Sequence, residues 1–326
     1  MTAYDMTELN RESQMGAVGT ETTDREVRRI SIADFEDRFD EIADELCSAA
    51  TDIGFFQIVD HGIPQDIVDG VFAMANTFFH LPTEIKEQYP LQKGTNAGWE
   101  YGTQVRPSTG TADQKESYQY TKPRMDGLWP SEDELAGFRS TVEDFEARCW
   151  KIAMDLLGCF AVKLGLDRDF FTAAHDPSSD TYQSTLRLLY YYAFPEEMLG
   201  DHSIWRAGAH TDFDALTLLF QRDGQGGLQV LPGAEMKGQE WTPVTPSDDA
   251  ITCNIGDMLM RWSDDKLPSN FHRVRPPREG ESLDARQSIA FFAQANTDVL
   301  IESPEGKYPP LTAAEYLAQR LKANNV

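Results

Sequence analysis

The chain has 326 residues, 40% of them hydrophobic and 11% aromatic, enough for a sizeable core and too apolar for a disordered polypeptide. Its 54 acidic residues outnumber 29 basic ones, for a formal charge of −25. That balance makes nucleic acid and anionic membrane poor partners, and it serves either solubility or life in a salt-rich cytoplasm.

No window approaches the roughly 18 uncharged apolar residues of a membrane span. The polar, acid-bearing start is not a secretory signal, and residues 1–27 read as a flexible lead-in. Cys47, Cys149, Cys159 and Cys253 form no CxxC pair and read as reduced thiols of a cytoplasmic protein.

An N-terminal region spans 28–130. It opens with a short apolar-alternating piece at 29–32, followed by a helix carrying Ile42, Leu46 and Ala49. GFFQIVDHGIP (54–64) reads as a buried strand stopped at the Gly62–Pro64 turn, and a second helix carries Ile67, Val71, Met74 and Phe78. Residues 90–130 read as long loops and short strands of the kind that cover a pocket. A long helix and its connection occupy 131–183. The stripe from Leu135 to Leu164 predicts that helix over 131–164, with Ser131 and Glu134 as its capping box.

From 184 to 296 the character changes to short β-like runs: TLRLLYYYAF, ALTLLFQ, GLQVL, AITCNIGDMLMRW, FHRVR and RQSIAFFA. Runs at this spacing predict a mainly β barrel or jelly roll with flanking helices. The tail, 297–326, returns to helix over 311–323.

His210 and Asp212 flank Thr211 in GAHTDFDALTLLF. Residues two apart on an extended chain point the same way, so imidazole and carboxylate can meet one ion. His272 in NFHRVRPP, 62 positions further on, supplies a third ligand from another predicted strand. Two histidines and a carboxylate leave open positions on an octahedral metal, the arrangement suited to iron(II). The plain alternative for an isolated HxD is a polar turn entering a strand. Arg286 and Ser288 then share one face of RQSIAFF with Ala290 and Phe292. An arginine on the inner face of an apolar strand needs an anion, and a guanidinium meets a carboxylate as a two-pronged match.

Together these motifs resemble those of the iron(II)/2-oxoglutarate-dependent dioxygenases of the isopenicillin N synthase-like family. GFFQIVDHGIP, KESY (115–118), GGLQV (226–230) and NIGDMLMRWSDDKLPSNFHRV (254–274) are similar to other hallmark segments of that family. The resemblance runs from about residue 28 to 296. It implies a double-stranded β-helix (jelly-roll) core, iron(II) on His210, Asp212 and His272, and 2-oxoglutarate held at its distal carboxylate by Arg286 and Ser288. Tyr191 best matches a tyrosine that joins that contact, although Tyr192 stands where the family often has proline. The implied reaction consumes O2 and 2-oxoglutarate, releases succinate and CO2, and oxidises a C–H bond of a small molecule. Hydroxylation is the default, with desaturation or ring closure also open.

LRLL, GAHTDFDALTLLFQ and RWSDD most resemble the microbial branch that includes thymine 7-hydroxylase, where a tyrosine follows HTD; here it is Phe213. Arg187 shares parity with Leu189 and Tyr191, so it reads as a substrate clamp or as a structural salt bridge. Phe292 reads as a stacking surface or as plain core. His61, His80, His175 and His202 read as turn or surface histidines, and Asn254, Gly256 and Asp257 as turn chemistry supporting the barrel. Two rival readings share the fold: an iron oxidase that does not use 2-oxoglutarate, and a metal-free binding protein.

Overall fold

The computed structural model describes residues 15, 19–103, 108, 110, 112–200, 204–233 and 239–324. The rest of the lead-in, His202 and the last two residues lie outside the described residues.

Two sheets face each other. The major sheet has eight strands: β2 (Arg29–Ser31), β3 (Phe55–Val59), β4 (Gly98–Tyr101), β5 (Lys115–Tyr120), β6 (Thr185–Tyr191), β8 (Leu216–Phe220), β11 (Ile251–Ile255) and β13 (Arg286–Ala293). Their spatial order is β2-β3-β11-β8-β13-β6-β5-β4. The minor sheet has the order β1-β10-β9-β12-β7, built from β1 (Thr20–Glu21), β7 (Ala207–His210), β9 (Leu228–Leu231), β10 (Glu240–Pro243) and β12 (Phe271–Val274). Among the described residues no ladder joins the two sheets into a closed barrel.

Strand parity divides the interior in two. On β13, Ile289, Phe291 and Ala293 point outward into the large core, as do Leu186 and Leu188 of β6. Three helices cover that outer face: α1 (Phe39–Asp52), α2 (Gln65–Phe79) and α4 (Phe138–Lys163). The short α3 (Thr83–Lys86) and α5 (Phe170–Ala174) fill its margins. The opposite parity, with Leu189, Tyr191 and Ala290, faces Ala207, Leu228 and Val274 of the minor sheet in a smaller cluster. That inner space is the cavity described below.

Four expectations need correction. The long helix begins at Phe138, not at 131. Ser131 does donate to the Glu134 carboxylate, from its hydroxyl at 2.7 Å and its backbone N–H at 2.8 Å, but these contacts close a separate turn, because Gly137 adopts φ +74° and breaks the helical path. GDMLMRW is not strand: after β11 the chain forms helix α6 (Asp257–Trp262). Gly256 permits the switch, since a Cβ there would sit 2.2 Å from the Asp214 carbonyl. The described end of the lead-in is ordered. Thr20–Glu21 pairs in parallel with β10, Val27 is buried, and Glu21 accepts from Arg278 at 2.8 Å. An edge strand with free ladder groups offers that pairing.

The fourth correction is His175, which lies in a turn, one of its two expected settings, but is 0% exposed rather than at the surface, with Nδ1 2.7 Å from the Phe171 carbonyl. The hairpin β14 (Leu300–Ile301) and β15 (Leu311–Thr312) leads into α7 (Ala313–Asn324). Thr312 and Glu315 cap that helix reciprocally, at 3.2 and 3.0 Å. Among the described residues no helix is long and apolar enough to cross a membrane.

Candidate active site

His210 ends β7 and His272 lies on β12, and the two are directly opposed partners in an antiparallel pair. Their rings are 4.3 Å apart, centre to centre. Asp212 follows just beyond the end of β7. Its Oδ1 is 3.9 Å from Nε2 of His210 and 3.7 Å from Nε2 of His272. One ligand atom from each residue lies within 4.8 Å of the others, a spacing that one metal ion can bridge.

The surroundings aim these atoms. Nδ1 of His210 donates to the Gly208 carbonyl at 2.7 Å, which leaves the Nε2 lone pair turned toward the others. Oδ2 of Asp212 accepts from Thr217 at 2.6 Å and from Asn254 at 2.8 Å. Thr217 also lies 3.0 Å from Asp214, a carboxyl pushed well above its usual range by complete burial and by the charge of Asp212. With one oxygen thus committed, Oδ1 is left to face the histidines. Thr217 and Asn254 were missed as site residues. Their signal was polarity at inward positions of two apolar strands, and Asn254 had been read only as turn chemistry.

The cavity in front of these residues measures about 500 Å³. Every candidate named from the sequence lines it: Arg187, Tyr191, Phe213, Arg286, Ser288 and Phe292, together with the His210, Asp212 and His272 group. Tyr191, not Tyr192, has the inward parity. Arg286 is 1% exposed. Its Nε donates to the Gln225 carbonyl at 2.9 Å, and Nη1 lies 3.5 Å from Ser288 Oγ. Nη2 is buried with no hydrogen-bond partner among the described residues. The guanidinium stands 4.8 Å from the centre of the Tyr191 ring, opposite it in register. Burial, with the charge of Arg286 next, lowers the pKa of nearby Arg206 to about 10.

A second polar wall crosses the neighbouring strands. Arg187 donates to Gln119 Oε1 at 2.7 Å, and Gln119 donates to Glu100 Oε1 at 2.8 Å. Since arginine only donates and a carboxylate only accepts, Gln119 is locked in one orientation. Arg187 also covers Phe292, at 5.1 Å from the ring centre. Gln119, Glu100, Lys115 and Leu317 line the cavity too and were not anticipated, because pairing across distant strands brings the first three there and the C-terminal helix brings Leu317.

A donor set of two imidazoles and one carboxylate fits iron(II), and the buried Nη2 of Arg286 fits a carboxylate of an organic acid. The family comparisons agree with that chemistry. Residues 182–295 match the model of the 2OG-Fe(II) oxygenase superfamily, and residues 27–135 match that of the non-haem dioxygenase in morphine synthesis N-terminal region. The chain is 33% identical to the proline hydroxylase buaE of Petromyces alliaceus, over 91% of this chain and 98% of the relative. It is 32% identical to the 2-oxoglutarate-dependent dioxygenase caaD of Aspergillus niger, over 74% of this chain and 76% of that one. The full-length Neurospora crassa T7H in complex with alpha-KG and thymine superposes with a TM-score of 0.80 at 30% identity, covering 91% of this chain and 96% of that one. These relatives favour a 2-oxoglutarate-using enzyme over an oxidase that does without it. The chain belongs to the 2-oxoglutarate- and iron(II)-dependent oxygenase superfamily, and it is a dioxygenase that takes iron(II) and 2-oxoglutarate to oxidise its substrate.

Proposed function

We propose that His210, Asp212 and His272 hold the iron(II), that Arg286 and Ser288 with Tyr191 seat the distal carboxylate of 2-oxoglutarate, and that the remaining cavity hydroxylates a small polar metabolite. The observation that carries this reading is the buried, unpartnered Nη2 of Arg286 in the cavity that also holds the two histidines and the aspartate. A buried guanidinium is costly without an anion. When bound, iron(II) and 2-oxoglutarate supply oxidative decarboxylation of the keto acid, with O2 as oxidant and succinate and CO2 as products. The side chains do the rest. The Gln225 carbonyl turns the Nη edge of Arg286 toward the incoming carboxylate. Ser288 accepts from Arg286, so its own hydrogen is left for the same carboxylate.

Arg187, held by Gln119 and laid over Phe292, presents a donor edge beside an apolar face. That pairing suits a compact substrate with a carboxylate, imide or amide edge and a C–H bond near the metal. The relative buaE is named a proline hydroxylase and T7H was solved with thymine, and both molecules have this character. Phe213 adds a further apolar lining to the cavity. The four cysteines are all free thiols, which supports a reducing, cytoplasmic setting.

The test is anaerobic loading with iron(II) and 2-oxoglutarate, followed by oxygen exposure with free proline, thymine and related small acids and imides. Succinate should form in step with oxygen consumed and rise when the right substrate is present. Asp212→Ala should remove that activity. Iron-loaded enzyme that consumes oxygen but never 2-oxoglutarate would overturn the assignment of Arg286.

A further inference from the structure

Helix α7 reaches the cavity wall through Leu317 and sends a fully buried cation into the segment that carries His210 and Asp212. Arg320 is 0% exposed. Its Nη2 donates to Thr211 Oγ1 at 2.9 Å and lies 3.2 Å from Asp257 Oδ2. Thr211 donates its hydroxyl hydrogen to that same carboxylate oxygen at 3.1 Å, and Tyr316 of α7 adds its own hydroxyl at 3.1 Å. The Thr211 hydroxyl therefore accepts from a cation and donates to an anion, which leaves it one rotamer. Asp257 is tied to the segment a second time, since its backbone N–H donates to the Asp212 carbonyl at 2.9 Å. Arg320 also covers Phe213, 4.4 Å from the ring centre. One side chain of the C-terminal helix thus grips the residue before Asp212 and the residue after it.

That grip matters because Asp212 lies past the last residue of β7, where no ladder hydrogen bond sets the direction of its side chain. A ligand segment free to sample other arrangements binds metal only through the fraction that is correctly aimed. We infer that Arg320 is a positioning residue of the active site, through which α7 fixes the aim of Asp212 at the metal and the placement of the Phe213 wall. This rests on the reading of His210, Asp212 and His272 as the iron ligands.

The experiment compares full-length wild type with Arg320→Met, Arg320→Lys, Thr211→Val and Ile301→Ala. The last truncates a buried residue of the neighbouring hairpin and so controls for lost stability. Iron(II) affinity is measured anaerobically by equilibrium dialysis against a competing chelator, well below each melting temperature, and needs no primary substrate. Arg320→Met is expected to weaken iron binding by roughly 10-fold or more, the range seen when a group behind a metal ligand is removed. Arg320→Lys should recover most of that loss, because an ammonium keeps the ion pair with Asp257 without the flat face on Phe213. Ile301→Ala should melt earlier and bind iron like wild type. If Arg320→Met is folded, melts early and still binds iron as tightly as wild type, the helix is only structural and the inference falls. If Arg320→Met does not fold, Thr211→Val decides by the same measurement, weakened binding supporting the inference and unchanged binding overturning it. Wild type that fails to bind iron would instead overturn the ligand assignment on which this stands.

Discussion

Thr217 and Asn254 face each other across β8 and β11 and donate to the same oxygen of Asp212, at 2.6 and 2.8 Å. Two neutral donors on one oxygen polarise the carboxylate and fix its rotation, so the pair works as an aiming device for Oδ1. Asn254→Ala and Thr217→Val should each weaken iron(II) binding by roughly 10- to 100-fold, read by anaerobic dialysis. Asn254→Asp should do worse, since it places a second negative charge against Oδ2. Wild-type affinity in both conservative variants would mean that the carboxylate is held by other means.

Arg286 should govern 2-oxoglutarate affinity and leave iron affinity alone, since its strand carries none of the three candidate ligands. Truncating one partner of a buried charged pair costs about 2–5 kcal/mol, or roughly 30- to several-thousand-fold in Kd. Titration of iron-loaded Arg286→Ala with 2-oxoglutarate should show a loss in that range. Arg286→Lys should rescue only in part, because Nε, which now donates to the Gln225 carbonyl, is also lost. Ser288→Ala should cost about 1.5–3 kcal/mol, the worth of one hydrogen bond to a charged group. Equal 2-oxoglutarate binding by Arg286→Ala would move the anchor elsewhere.

His175 predicts a pH dependence of stability. Burial pulls its imidazole down to about 4 in the folded protein, while the unfolded chain titrates near 6.5, so below that point the unfolded state binds more protons. The contribution is fully present above about pH 6.5 and lost as the pH falls toward 4. It amounts to about 3 kcal/mol at most. Denaturant melts at pH 7 and pH 4.5 should show a steeper loss for wild type than for His175→Gln. Parallel losses would assign the acid sensitivity to the carboxylates.

The formal charge of −25 should make the fold salt-sensitive. Screening shortens the reach of like-charge repulsion to about 3 Å at 1 M salt, so the melting temperature should climb between low and molar sodium chloride. A flat profile would leave solubility as the sole role of the acidic surface.

The features legible in the sequence were those with a short period. Alternation along β13 placed Arg286, Ser288 and Phe292 on one face, and that face lines the cavity in the fold; Tyr191 was matched by family resemblance, and its strand parity also turns it to the cavity. The joint HTD, HRV and RxS pattern indicated the family. Contacts between segments far apart in the chain were not legible. Gln119 meets Arg187, and Arg320 meets Thr211, only because the sheets and α7 bring them together. Local signals also misled where one residue outweighed a run. The helical stripe extended through Leu135, yet Gly137 delays the helix to Phe138. His175 had no acid at ligand spacing and read as a turn or surface residue; it does sit in a turn, but buried, with a backbone carbonyl as its partner.

The two-sided use of β13 has an evolutionary consequence. Ile289 and Phe291 are pressed into the helix-covered core, so replacing them risks the fold itself. Ala290 and Phe292, their immediate neighbours, border the cavity and its smaller apolar cluster. Selection for durability and selection for diet therefore read alternate letters of a single eight-residue word. Ala290 and Phe292 can change while Ile289 and Phe291 stand, and, with Arg286 and Ser288 of the same inner face kept for the co-substrate, single substitutions at those two positions reshape the cavity on an already stable scaffold.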